Sequence, residues 1–175
     1  MPKKVAVLAV NPVNGFGLFQ YLETFFEKKI PYKTFAVSVS TAIKTNSGVN
    51  IQTDALISDL KGHEQDFDAL VFACGDAIPV FAQNAGTQYN QDMLAVIKKF
   101  NELGKIIIGH CGAGMLADMT GIGTGKKVAV HPFVKSFLKK AIGTDDAFNV
   151  DGNLYTAQTE NTISSMIPTL LGVLK

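Results

Sequence analysis

The chain has 175 residues, 47% of them hydrophobic and 18% charged, enough apolar mass for one sizeable core with no sign of a second, so residues 1–175 read as a single globular domain. Sixteen Lys, no Arg and fifteen acidic residues leave a formal charge of +1. That balance excludes a basic nucleic-acid groove or a polybasic membrane contact, and without Arg no bidentate clamp for carboxylate or phosphate is available.

Val5–Val10 (VAVLAV) is a continuous apolar run stopped by Asn11-Pro12, the pattern of a strand buried on both faces. Leu18, Leu22, Phe25 and Phe26 then recur at helical spacing until Pro31. Residues 34–39 (TFAVSV) predict a second strand, Asn46-Ser47-Gly48 a turn between short extended pieces, and residues 54–60 a short helix with Asp54 near its start. Residues 68–73 (DALVFA) form a third apolar strand. Residues 88–103 carry Leu94, Ile97 and Phe100 on one helical stripe, Gly104 is placed as a C-cap, and residues 105–109 are the next strand. A short strand at 127–130, a basic helix at 133–141 and a last strand at 154–157 follow. The final helix opens near Thr159 and passes Met166 and Leu170 to Leu174. Strands alternating with helices imply right-handed crossovers and a mainly parallel sheet with helices on both faces. Ligands on such sheets bind at the carboxyl ends of the strands.

No apolar run reaches membrane-spanning length, and the apolar run after Met-Pro-Lys-Lys is too short for a signal-peptide core with a cleavage site, so a cytoplasmic protein is expected. Cys74 and Cys111 are then free thiols or a redox pair before they are a structural disulfide. Gly15-Phe16-Gly17 sits where a dinucleotide fingerprint belongs, but the third glycine position is Gln20 and the second strand closes on Val37-Ser38-Val39 without an acid. Gly121 to Lys126 fails as a P-loop, since the first glycine is Thr120 and Lys127 replaces Ser or Thr. His63 to Asp68 mixes metal-capable side chains on the amino-end face, away from the expected site, and reads as a solvated loop; neither cysteine is in a CxxC. No cofactor and no metal are expected.

The stretch KIIIGHCGAGMLADM carries more. A strand ending in Gly109, a nucleophile-type residue at Cys111 and small residues at Gly112 and Ala113 meet the steric demands of a nucleophile elbow, with a helix N-terminus aimed at the sulfur. The competing reading is a buried, inert thiol at a tight packing point. The Gly112 N–H is a candidate oxyanion donor and the Gly75 N–H, at the end of a neighbouring strand, a second. His131, at a later strand end, is a candidate base or acid, against the plainer reading of a packed or surface histidine. His110, beside Cys111 in sequence, is free to point elsewhere.

On IIIGHCGAGMLAD, LVFACGD and KVAVHP, and over nearly its whole length, the chain resembles the DJ-1/PfpI superfamily within the class I glutamine-amidotransferase-like fold. The resemblance implies a flavodoxin-like three-layer sandwich and a homodimer, with Cys111 as nucleophile, Gly75 and Gly112 as backbone donors and His131 near the thiol. Family activities include peptidase or amidase, glyoxalase or deglycase-type chemistry, isonitrile hydration and peroxide sensing. The chain departs from its relatives in four places. The Glu or Asp that commonly meets the cysteine from the first helix is missing between Asn14 and Phe19, and the nearest acid is Glu23. Gly112 follows the cysteine where peptidase-like members have His, Asp76 stands where a glycine is usual, and Gln158 to Asn161 replace a Gly-Pro-Gly-like loop. Asn14, Asp76, His110 and Glu160 are accordingly site neighbours, Glu160 being the candidate substitute for the lost acid. Two function classes stay open: a cysteine-dependent hydrolase or glyoxalase/deglycase-type enzyme on a small carbonyl or amide substrate, or a non-catalytic member that senses oxidants or binds a small molecule, with Cys111 oxidised or paired with Cys74. The expected partners are a small-molecule substrate or oxidant and a second copy of the chain, with no nucleic acid and no membrane.

Overall fold

Six consecutive apolar residues leave a strand no polar face, and Val5–Val10 is buried along its whole length at the centre of the sheet. A computed structural model describes residues 1–175. In chain order the elements are β1 (Val5–Val10), α1 (Gly15–Glu27), β2 (Tyr32–Val37), β3 (Ala42–Lys44), β4 (Asn50–Gln52), β5 (Ala55–Leu56), α2 (Ile57–Leu60), β6 (Ala69–Ala73), α3 (Phe81–Asn84), α4 (Gln88–Glu102), β7 (Ile106–His110), α5 (Ala113–Thr120), β8 (Lys127–Ala129), α6 (Pro132–Lys135), β9 (Ile142–Thr144), β10 (Phe148–Asp151), β11 (Leu154–Ala157) and α7 (Ile163–Leu174).

The main sheet has seven strands in the order β10-β11-β7-β6-β1-β2-β5. Every pairing is parallel except β10 with β11 at one edge. From β1 the chain builds outward to β2 and β5 on one side and to β6, β7 and β11 on the other. The order therefore reverses between β1 and β6, which opens a crevice at their carboxyl ends. Helices α1 and α7 pack together on one face, and α2, α4 and α5 on the other. One cluster of 45 buried hydrophobic residues joins the layers. The architecture is the expected α/β sandwich with a mainly parallel sheet.

Several boundaries differ from the sequence expectations. Residues 54–60 are not one helix: Ala55–Leu56 adds a sheet strand and only Ile57–Leu60 is helical. Asp54 spends its carboxylate on the Thr34 N–H at 2.8 Å and hydroxyl at 2.7 Å, tying β2 to the approach of β5. The strand expected at 105–109 runs on to His110, so that His110 pairs with Ala157 inside the sheet. The basic helix expected at 133–141 is a single turn, α6, because the following chain is pulled away: Asp118 Oδ1 accepts the N–H groups of Lys139, Lys140 and Ala141 at 3.0, 2.5 and 2.7 Å. Strand β8 lies outside the main sheet and pairs with β9, which, like the antiparallel edge β10, had no sequence signal. The His63 loop is a structural turn at the opposite end of the sheet from the crevice. Its carbonyls at Glu64, Gln65 and Phe67 accept the Lys105 ammonium, and the buried Glu64 carboxylate accepts the Gly62 N–H.

Candidate functional site

Three strand ends converge at the crevice. After β1, Asn14 caps α1 by accepting the Gly17 N–H at 2.6 Å, and its own N–H donates to the Cys74 carbonyl at 2.9 Å. This joins the β1–α1 turn to the end of β6. The approach is close enough that a Cβ on Gly75 would lie 2.5 Å from Val13 Cα and 2.8 Å from Asn14 N, so glycine is required there.

Cys111 sits in the turn between β7 and α5 with φ 56, a left-handed conformation that costs a non-glycine residue about 1 kcal/mol or more. Its N–H is held by the Ala157 carbonyl of β11 at 3.2 Å. The small residues around it serve tight packing: a Cβ on Gly112 would come within 2.8 Å of Ile78 and 3.2 Å of Cys74 Sγ. The strained strand-to-helix turn expected from the sequence is present, and Cys111 is half-buried in it.

The sulfur of Cys111 meets a second sulfur. The Cys74 thiol lies beside it, and the hydrogen-bonding influence of that thiol is the largest cause holding the Cys111 thiol below its ordinary value. Burial and the nearby Glu160 and Asp76 carboxylates oppose the shift, while the Gly112 N–H assists it. Cys74 moves the opposite way, held well above its ordinary value by the same influence, by burial and by the negative charge on Cys111. The pair therefore favours ionisation of Cys111 over Cys74. The two expected oxyanion donors also face Cys74: the Gly112 N–H points at its Sγ at 3.4 Å, and the Gly75 N–H favours the same sulfur. The neighbouring Asp76 N–H is taken by the Asn46 side chain at 3.0 Å.

The remaining candidates divide between the cavity and the core. His131 lines the cavity from the start of α6. Its Nδ1 accepts the Phe133 N–H at 3.2 Å, which assigns the ring proton to Nε2. No hydrogen bond joins it to Cys111. Glu160 and Asp76 stand at the cavity wall, and Asn14 is held as the α1 cap. His110 turns inward beneath α1. Its Nδ1 shares a hydrogen bond with Tyr21 Oη at 3.3 Å, its Nε2 is buried without a partner, and burial pushes its pKa down to about 4. The ring fits because residue 17 is glycine: a Cβ there would lie 2.5 Å from Nε2. Burial also raises the Tyr21 phenol, so it stays protonated. Sequence reasoning missed Tyr21 and Gly17 as partners of His110, and it raised Cys74 as a redox partner of Cys111 but not as the group that lowers the Cys111 pKa. The signal for Cys74 was its place at the end of a strand adjoining β7. Around the two sulfurs lies a cavity of about 650 Å³, open to solvent at the strand carboxyl ends.

The model of the DJ-1/PfpI family matches residues 3–172. Protein ppBat of Bacteroides thetaiotaomicron is 59% identical over 175 residues, spanning 100% of both chains. A crystal structure of a protein from the same organism that carries the provisional name protease I is 60% identical, with a TM-score of 0.97 and 99% of each chain covered. An oxidized DJ-1 of Toxoplasma gondii superposes with a TM-score of 0.84 at 16% identity, covering 98% of this chain and 90% of that one.

Proposed function

Because the chain belongs to the DJ-1/PfpI family, we propose that Cys111 is the nucleophile of a thiol site that adds to a small carbonyl- or amide-type electrophile. The observation that carries this reading is the sulfur pair: a half-buried cysteine, strained at a helix N-terminus, sits beside the Cys74 sulfur at the cavity floor, and that neighbour is the largest influence lowering its thiol pKa. No carboxylic acid stands in the first turn of α1, and the Cys74 thiol takes the place of the family's usual acid beside Cys111. Attack forms the sulfur–carbon bond and moves the carbonyl π pair onto oxygen, which takes its proton from water at the open side of the cavity. With Nδ1 occupied by the Phe133 N–H, His131 acts through Nε2–H as a donor that polarises the substrate oxygen. The Gly112 N–H joins it as the charge moves from sulfur to oxygen.

The closeness of the two sulfurs also favours a second reading, oxidant sensing. The Cys111 thiolate attacks a hydroperoxide oxygen, the O–O bond breaks, and the alcohol leaves with a proton taken up. The resulting sulfenic acid is attacked by Cys74, forming a disulfide and releasing water. The pH dependence of Cys111 alkylation tests the shared premise, with the Cys74→Ser variant for comparison. A thiol pKa well below the free value of roughly 8.5 is expected in the native chain, rising in Cys74→Ser. A native value at or above 8.5 overturns both readings. Turnover of methylglyoxal-like and amide substrates, lost in Cys111→Ala, supports the nucleophile. Loss of two hydrogens after mild peroxide, abolished in either cysteine variant, supports the sensor.

A further inference from the structure

The 650 Å³ cavity is the size that takes a small organic ligand, and its lining is one-sided in chemistry. Its apolar wall is built from Ile78, Phe81, Met115, Met119, Phe133 and Phe137, with the last two rings 5.2 Å apart at 59° to one another. Phe133 is 71% exposed, Phe137 56% and Met119 45%, so these large side chains face the opening with nothing packed over them. The charged side chains of the lining are the Asp76 and Glu160 carboxylates, and none of the sixteen lysines lines the cavity. An anionic ligand would meet two carboxylates and no lysine. A small polar ligand would leave the aromatic and thioether wall wet. A neutral ring would cover that wall, with tilted aromatic contacts to Phe133 and Phe137 and sulfur contacts to the two methionines.

We propose that the site takes an uncharged ligand with an aromatic body, seated against Phe133 and Phe137 with its reactive end toward Cys111. The proposal rests on the reading of this cavity as the thiol's substrate pocket and specifies its ligand class. The Lys-free lining separates it from sites that take phosphorylated or carboxylated metabolites.

The test uses two probes with one ring system and different charge, 2-naphthylmethanol and 2-naphthoate, titrated by fluorescence into the full chain at neutral pH. Saturable binding of the alcohol is expected, with the carboxylate weaker by about tenfold or more, a difference of about 1.4 kcal/mol. The bound alcohol should slow iodoacetamide alkylation of Cys111, which places it in this cavity. Phe137→Ser, a change at a half-exposed position, should weaken the alcohol by several fold and reduce the protection that the alcohol gives Cys111 to a similar degree. In Cys111→Ser the alcohol should still bind within about twofold of native, so a failed thiol reading and a failed ligand class give different results. Absence of saturable binding, equal affinity for alcohol and carboxylate, or binding that leaves Cys111 unprotected overturns the proposal. So does a change of sedimentation in Phe137→Ser with probe binding intact, which would assign the aromatic face to a second copy of the chain.

Discussion

At Gly17 the absence of a side chain is what admits an imidazole beneath the site. A methyl group there would press on His110 Nε2 at 2.5 Å and Cε1 at 2.7 Å, and His110 has no slack, being 1% exposed between α1 and the sheet. Gly17→Ala should therefore cost about 1–3 kcal/mol despite the better helix propensity of alanine, and much of that cost should vanish in a His110→Ala background. Denaturant midpoints of the two single variants and the double variant measure the coupling. His110 also sets a pH dependence. Its folded pKa of about 4 lies below the ordinary value of 6.5, so between these values the unfolded chain binds the proton that the folded chain refuses. Stability from this residue is complete above pH 6.5 and falls as pH drops toward 4. At pH 5 the loss relative to pH 7 is about 2 kcal/mol. Urea midpoints across that range should show the slope in the native chain and a flatter profile in His110→Gln.

At the scale of elements, the cavity's outer wall depends on one carboxylate. Asp118, buried in the second turn of α5, is opposed by burial but held below the usual carboxylate range by the N–H groups of Ala141, Lys140 and Lys139. These bonds end the chain's turn after α6 and anchor the segment that carries Phe133 and Phe137. Asp118→Ala should cost about 1–2 kcal/mol, since it removes three part-buried N–H···O bonds to one carboxylate whose donors water can reach, and should speed proteolysis within residues 132–141 before other loops are cut. Limited digestion followed by mass mapping checks the order. The same segment shows where sequence reasoning runs out. A periodic pattern such as Gln88–Glu102 or an all-apolar run such as β1 is settled by its own residues, which is why those elements fall where expected. The end of α6 is settled by an acid some twenty residues earlier, and β9 exists only because β8 lies beside it. The elbow was readable because its steric demands fall on consecutive small residues. The two cysteines were readable as a redox pair, but the lowering of the Cys111 pKa by Cys74 was not, because it is made between β6 and the turn after β7, 37 positions apart.

For the whole molecule, the site is laid across a gradient of stability. Its floor is the centre of the sheet: β1, β6 and β7 are joined by parallel ladders and covered by the 45-residue core, so the sulfurs sit at the ends of the most protected strands. Its outer wall is α6 and the segment after it, where the helix buries no residue and the β8–β9 pair has only two strands. Few buried apolar contacts and short ladders make local opening cheap, whereas exposing β1 requires separating both layers. Amide exchange should accordingly be slowest in Val7 to Val10 and Leu70 to Phe72, limited there by global unfolding, and faster by about 10³ or more within residues 132–144, a difference of about 4 kcal/mol in opening free energy. A neutral aromatic ligand lying on Phe133 and Phe137 draws its binding energy from the soft wall while its reactive end meets the rigid floor. Adding 2-naphthylmethanol should then slow exchange in residues 132–144 and leave the central strands unchanged. Equal protection of wall and floor in the free chain would remove this division, and with it the reason for Cys111 to keep its strained geometry while the pocket adapts to the ligand.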